Sequence, residues 1–306
     1  MSSILLAGEG NLLFSVAACL QRAGHVFSVY ATDPVALQEK INGFLTADSE
    51  QLGYAKPGGS VSFCSQWDGL GLFDLIILIT PDRTEVKRNL VSKFASHLSP
   101  KGVIAVNLLS VGLEEIQQGF SFAPQIAGLN WVEPAHTTFF LEIIGNEVTP
   151  QEYLQQLEEF GKSVGKDPYI VRGGFSVKAR LNAALTREAL FLVSNGYATH
   201  EDIDRNCRND AGYYLPFVGN ARYMDLMGTY AYGVVMKDLN KHLSKDQQLD
   251  EESHHLIRQG FTGMDKGRGF FEYTEEEVEE WKTRMDSFSY QIHHLIQKYP
   301  FGTQSE

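Results

Sequence analysis

Short apolar runs alternate with helically spaced apolar positions through the first half of the chain, the pattern of a parallel sheet covered by helices. Ile4–Ala7 reads as a strand, and Phe14–Ala23 as a helix that stops at Gly24, a natural C-terminal cap. His25–Ala31 reads as a second strand broken by Asp33-Pro34. Ala36–Leu45 is then a short polar helix before a loop containing Lys56-Pro57-Gly58-Gly59. Val61–Cys64 is a third strand, and Phe73–Thr80 is the strongest fully buried strand in the chain. Arg83–Leu98 follows as an amphipathic helix and Gly102–Asn107 as the next strand, with Gln125–Val132 and Thr138–Ile144 closing the sheet. An acidic helix over Pro150–Gly165, capped by Thr149, and a last short strand at Tyr169–Val171 end this region. Almost everything beyond is helix: Val177–Asn195, His200–Asn209, Ala221–Leu243, Ser253–Gln259 and Glu275–Gln297. The periodicity therefore predicts an α/β domain over residues 1–172 and an all-helical domain over 173–306.

Composition narrows the function. At 306 residues the chain is long enough for two cores. Lys and Arg number 26 against 38 Asp and Glu, a formal charge of −12 that argues against a nucleic-acid partner, because phosphate binding needs a concentrated basic face. No apolar run approaches the ~20 residues of a membrane span. The first residues, Met1-Ser2-Ser3-Ile4, carry no basic region before the apolar stretch and do not read as a signal peptide. Cys19, Cys64 and Cys207 are too few and too irregular for a disulfide framework. The expectation is a cytoplasmic protein that handles a small molecule, with neither nucleic acid nor membrane as partner.

Gly8-Glu9-Gly10-Asn11-Leu12-Leu13 lies between the first strand and the first helix, where glycines let backbone N–H groups approach a pyrophosphate. Two of three glycines of that fingerprint are present; Leu13 takes the third position and should push the helix outward. Glu9 sets a negative charge beside the expected pyrophosphate. The acidic residue expected at the end of the second strand, for the adenine ribose, is displaced: Ala31 stands there, with Asp33 two residues later. On these residues alone, a nucleotide loop and a simple tight turn both stand.

Further motifs resemble the 3-hydroxyacyl-CoA dehydrogenases. Gly128-Leu129-Asn130-Trp131-Val132-Glu133-Pro134 and Phe140-Leu141-Glu142-Ile143-Ile144 are similar to the end of that family's nucleotide domain. Gly174-Phe175-Ser176-Val177 and Gly196-Tyr197-Ala198-Thr199-His200-Glu201-Asp202-Ile203-Asp204 resemble its helical domain, and Gly267-Arg268-Gly269-Phe270-Phe271-Glu272-Tyr273 continues in the family's order. The resemblance implies a Rossmann-type α/β domain followed by an all-α domain that binds substrate and builds a homodimer. It implies NAD as cofactor, with NADP left open, held by Gly8, Gly10, Asn11, Leu12 and Asp33 and by Thr80, Pro81 and Asp82 after the fourth strand. The implied substrate is an acyl-CoA or related hydroxy acid of fatty acid metabolism, oxidised at a C3 hydroxyl by hydride transfer with a histidine base oriented by a glutamate.

Carried over by position, Glu142 matches the glutamate, but the histidine is Asn130. An amide donates and accepts hydrogen bonds yet takes no proton near neutral pH, so the general base is missing, ordinarily a loss of ~10²–10⁴ in rate. The family's Ser-Asn-Thr-Ser-Ser run reads Val106-Asn107-Leu108-Leu109-Ser110, which keeps Asn107 and Ser110 and makes one hydroxyl position apolar. Lys178 replaces an asparagine and offers a cation for a carboxylate or, if desolvated, a base, against its ordinary reading as a solvated helix lysine. Glu133 replaces another asparagine and would repel Glu142 if buried beside it. His136 is a further candidate base, against its ordinary reading as a surface or locally bonded histidine. His254-His255 and His293-His294 read as pairs on exposed helices. Glu275-Glu276-Glu277 reads as a solvated helix start, and the tyrosines from Tyr213 to Tyr232 as core or dimer contact. Two functions remain open: an oxidoreductase with an altered substrate, and a catalytically inactive nucleotide or acyl-CoA binding protein on the same fold.

Overall fold

The computed structural model describes residues 3–30, 33–54, 58–64 and 71–300. Ala31, Lys56 and Pro57, named above, lie outside the described residues. The chain divides into two compact units, Met1–Arg180 and Leu181–Glu306.

The first unit is built on strands β1 (Ile4–Gly8), β2 (Val26–Tyr30), β3 (Ser60–Cys64), β4 (Phe73–Ile79), β5 (Leu98–Val106), β6 (Ile126–Asn130), β7 (Phe140–Ile144) and β8 (Asp167–Val171). They form one sheet in the order β3-β2-β1-β4-β5-β6-β7-β8, the doubly wound arrangement with two strands added at one edge. Every neighbouring pair is parallel except β6 and β7. Helices α1 (Asn11–Arg22), α2 (Pro34–Leu52), α3 (Thr84–Phe94), α4 (Leu113–Gln117) and α5 (Gln151–Ser163) connect them. β1 and β4 read as unbroken apolar runs because both faces are covered. Leu6, Ile77 and Ala105 pack with α1, α2 and α5 on one side. Leu5, Ile76 and Ile104 pack with α3 and α4 on the other.

Several boundaries differ from the periodicity. Helix α1 begins directly after Gly10, three residues before the first strongly periodic position. Asp33-Pro34 starts α2, which runs 19 residues, because the Asp33 side chain accepts from the Val35 and Ala36 N–H groups and Pro34 suits a first helical turn. Pro150 rather than Thr149 occupies the cap of α5, while the Thr149 hydroxyl faces Asn146 and Gln117.

Helix α6 (Val177–Ser194) leads into the second unit, which holds α7 (His200–Asn209), α8 (Ala211–Met227), α9 (Thr229–Leu239), α10 (Glu251–Arg258) and α11 (Glu275–Lys298). The helix expected over Ala221–Leu243 is divided at Gly228, whose φ of 103° ends α8. His293 is buried rather than exposed as the helix pattern suggested. Among the described residues no helix is long and apolar enough to cross a membrane.

Candidate functional site

The glycine loop joins β1 to α1. Gly8 has φ 146°, and a Cβ there would stand 1.9 Å from the Ile79 carbonyl oxygen on β4. Gly10 has φ 88° and caps α1, with open space where a Cβ would project. No side chain caps the first turn of α1, and no acidic residue lies in it. Uncapped N–H groups, a positive helix end and a clear approach fit the phosphates of a dinucleotide. Leu13 is absorbed into the core. Asn11 is exposed and Leu12 half-buried against the core. The local cation here is Lys40 of α2, whose Nζ lies 3.2 Å from Asn11 Oδ1; it is 29 residues away in sequence, so only the packing of α1 on α2 reveals it. Asp33 has Oδ1 committed to capping α2, at 3.1 Å from both the Val35 and Ala36 N–H groups.

At the C-terminal ends of β4, β5 and β6, the remaining candidates form one hydrogen-bonded belt. Asn107 Oδ1 accepts from the Thr80 N–H (2.8 Å) and hydroxyl (3.0 Å), and its amide donates back to the Thr80 carbonyl (2.9 Å). Beneath them lies Lys87 of α3, fully buried, donating to Asn107 O (2.6 Å) and Thr80 Oγ1 (3.0 Å) and standing 3.4 Å from Asp82 Oδ1. Asp82 Oδ2 accepts from the Ser110 hydroxyl (2.6 Å) and N–H (2.7 Å). Pro81 is exposed between Thr80 and Asp82. Burial pushes the Asp82 carboxyl up, but the Ser110 bonds and the Lys87 charge outweigh it and hold it below the usual range.

Next along the belt is Asn130. Its Oδ1 accepts from the Leu108 N–H (2.6 Å), and its Nδ2 donates to Leu108 O (2.5 Å) and Glu142 Oε2 (2.8 Å). Both amide hydrogens and the carbonyl are thus committed within the protein. Glu142 is 0% exposed and receives four further donors: the Ser176 hydroxyl (2.6 Å), the Tyr169 hydroxyl (2.8 Å) and the first N–H groups of α6 at Val177 (2.9 Å) and Lys178 (3.1 Å). Burial alone would raise the Glu142 pKa, but these bonds lower it, so the group is a fixed anion under a helix N-terminus. In sequence Ser176 stands out only as part of the segment that resembles the family's helical domain, and Tyr169 only as the start of a strand. Tyr169 is found only through the β7–β8 register, which sets it opposite Glu142. Lys178 Nζ is 5.7 Å above the Phe140 ring, which meets the Tyr169 ring edge-on at 5.8 Å. Among the described residues Lys178 makes no ion pair.

His136 and Glu133 do not join this belt. Glu133 is exposed and is joined to Pro134 by a cis peptide bond. His136 is 3% exposed, stacked on Phe44 at 4.3 Å, which corrects the surface reading. Burial, then the charges of Arg22 and Lys166, lower its pKa to about 3, so it stays neutral and unfit as a base near pH 7. Between about 3 and the ordinary 6.5, the unfolded chain binds a proton the folded one refuses. Stability therefore falls as pH drops through that window, by up to ~1.4 kcal/mol per pH unit. In urea titrations from pH 7 to 4, His136→Gln should flatten this decline; an unchanged slope would count against it.

Family comparisons agree with this geometry. Residues 6–173 match the model of the 3-hydroxyacyl-CoA dehydrogenase NAD binding domain, and residues 174–273 that of the family's C-terminal domain. The chain is 26% identical over 285 residues to the 5-formyl-3-hydroxy-2-methylpyridine 4-carboxylate 5-dehydrogenase of Mesorhizobium japonicum, covering 90% of this chain and 92% of that one. It is 25% identical over 205 residues to the human mitochondrial hydroxyacyl-coenzyme A dehydrogenase, covering 65% of this chain and 64% of that one. Among solved structures, a 5-formyl-3-hydroxy-2-methylpyridine 4-carboxylic acid 5-dehydrogenase described as an NAD+ dependent dismutase superposes with TM-score 0.88 at 23% identity, over 98% of this chain and 100% of that one. The (S)-3-hydroxybutyryl-CoA dehydrogenase of Ralstonia eutropha gives 0.69 at 18%, over 90% of this chain and 100% of that one. With both family models matched in order and a glycine loop that fits the dinucleotide, the chain belongs to the 3-hydroxyacyl-CoA dehydrogenase family and carries its NAD-binding domain.

Proposed function

We propose that this chain is an NAD-linked oxidoreductase for a small carboxylate-bearing alcohol or aldehyde, departing from the family's acyl-CoA substrates. The observation that carries the reading is Lys178, a cation without an ion pair among the described residues, set over Phe140 beside the belt of Asn130 and Glu142. An ammonium set over one aromatic ring suits the carboxylate of a flat, ring-bearing substrate. The Mesorhizobium relative is named for a pyridine carrying both a carboxylate and a formyl group, which supports that class. NAD, when bound, supplies the hydride acceptor; Gly8, Gly10 and Asn11 would hold it, with Thr80 and Asp82 on the belt beside it. In the helical unit the exposed Leu181, Leu185, Tyr213, Leu226, Met227 and Tyr230 support a homodimer surface.

A second reading is favoured by Asn130 itself. With its amide committed to Leu108 and Glu142, no group at the histidine position takes a proton, as a binding protein without turnover would allow. Calorimetry with NAD(H) and NADP(H), beside NADH absorbance assays on 5-formyl-3-hydroxy-2-methylpyridine 4-carboxylate and acetoacetyl-CoA, separates the two. We expect NAD binding and turnover of the pyridine. Lys178→Met should raise its KM about 10- to 100-fold, the worth of one charged hydrogen bond, with NAD affinity unchanged. Tight NAD binding with neither compound turned over would select the binding protein. Asn130→His should not raise turnover, because an imidazole cannot serve Leu108 and Glu142 together; a large gain would show that only the base was missing.

A further inference from the structure

The glycine loop carries a carboxylate, Glu9, between its two glycines. Glu9 is exposed and makes no ion pair among the described residues, so its charge stands where a doubly negative pyrophosphate approaches. Neither the loop nor the first turn of α1 (Asn11, Leu12, Leu13 and Phe14) holds a cation, so any positive side chain has to come from another element. Helix α2 supplies one. Its Leu37 and Ile41 are buried in the core that α1 shares, and Lys40 lies between them in sequence. Lys40 Nζ donates to Asn11 Oδ1 at 3.2 Å and lies 5.2 Å from the centre of the Phe14 ring. These contacts set the cation at the first turn of α1, whose N–H groups carry no side-chain cap. An exposed helix lysine ordinarily pairs with a carboxylate three or four residues away. Those positions are Ala36, Leu37, Gly43 and Phe44, none of them acidic, and the side chain crosses to the neighbouring helix instead. Among the described residues Lys40 makes no ion pair, and Asn11 takes one of its three N–H donors.

We propose that Lys40 is a cofactor-binding residue outside the glycine fingerprint, giving the pyrophosphate of NAD the positive charge that the loop itself lacks. Asn11 and Phe14 hold the side chain ready. Its stem is ordered before the cofactor arrives, so binding loses less side-chain entropy than an unrestrained lysine would cost. The remaining N–H donors are available to phosphate oxygens, which accept strong charge-assisted hydrogen bonds. Because Lys40 is exposed, solvent and salt screen the attraction, and its contribution belongs at the lower end of the range for a charged hydrogen bond. The assignment stands on the NAD-binding domain and requires no turnover, so it is independent of the substrate reading above.

Calorimetry on the full chain tests this with NAD and with ADP-ribose, which keeps the pyrophosphate and lacks the nicotinamide. Lys40→Met should weaken both ligands about 10-fold, with the thermal midpoint unchanged because the side chain is exposed. Lys40→Arg should stay within about threefold of the parent, since the guanidinium also donates to phosphate. Lys101→Met controls for net charge. Lys101 is exposed on β5 just before Val103, which is level with Leu75 and Ile4 at the end of the sheet away from Gly8, and its loss should leave both affinities in place. Raising KCl from about 20 to about 300 mM should weaken NAD binding to the parent more than to Lys40→Met. Parent-like NAD affinity in Lys40→Met overturns the assignment, and a loss then confined to NADP would put the cation at the 2′-phosphate instead. A loss seen with NAD but not with ADP-ribose overturns it too, by moving Lys40 to the nicotinamide end. A parent without affinity for either ligand would overturn it together with the cofactor binding on which it stands.

Discussion

Glu142→Ala is expected to cost the NAD-binding unit ~3–5 kcal/mol, the scale for stripping a buried charge from its partners. Five donors lose their acceptor together: the Asn130 amide, the hydroxyls of Ser176 and Tyr169, and the N–H groups of Val177 and Lys178. Glu142→Gln should cost less, ~1–3 kcal/mol, for a reason visible in the geometry. Its oxygen would keep the two backbone N–H groups, and its NH2 would turn to the other side, where the Ser176 hydroxyl can reverse and accept but Asn130 Nδ2 cannot. Denaturant midpoints measure both costs, and hydrogen exchange at Val177 and Lys178 should rise because α6 loses its cap. Equal costs for the two variants would contradict this account. The sign in pH follows from the lowered pKa. Above the ordinary carboxylate value near 4.5 the contribution is complete, and it is lost as pH falls toward the folded value, when the anion must be protonated. The acid decline of the glutamine variant should lack this component.

Gly8→Ala should be as damaging, ~3–5 kcal/mol, combining a φ of 146° with a Cβ 1.9 Å from the Ile79 carbonyl oxygen. That oxygen belongs to β4, the neighbour of β1 at the centre of the sheet, and cannot withdraw without breaking the ladder. Gly10→Ala should behave differently. Its φ of 88° costs a non-glycine residue ~1–2 kcal/mol, but the Cβ enters open space. We expect a folded protein whose NAD affinity falls far more than its stability, as read by calorimetry beside thermal melting. Gly8→Ala should lower both together. If Gly10→Ala binds NAD as the parent does, the phosphates do not approach over this loop.

Much of the fold was legible from periodicity because burial on both faces writes unbroken apolar runs into β1 and β4, and one-sided burial writes a helical stripe into α3 and α5. The misplaced boundaries share a cause. α1 starts on polar Asn11, and α2 runs through a weakly periodic stretch secured by a cap at Asp33, so apolar spacing under-reads both. Asn107, Asn130, Glu142, Ser110 and Asp82 were named from order along the chain, and the structure brings them into one belt. What order could not convey is how their bonding groups are spent. Asn130 was readable as the loss of a base, but its amide locked on Leu108 is a fact of β5 lying against β6.

By itself, the sequence determined the alternation of elements, the glycine loop and the residue types at the family's positions, because these depend on neighbours a few residues away. Only the tertiary structure decided that Lys40 serves the loop, that Tyr169 and Ser176 complete the Glu142 cage, that His136 is sealed away from the belt, and that Lys87 lies beneath Asp82. The Lys40 contact is exposed and follows from α1 packing on α2; the others depend on strands or helices far apart in the chain meeting in a low-dielectric interior, where an unpaired polar group is costly.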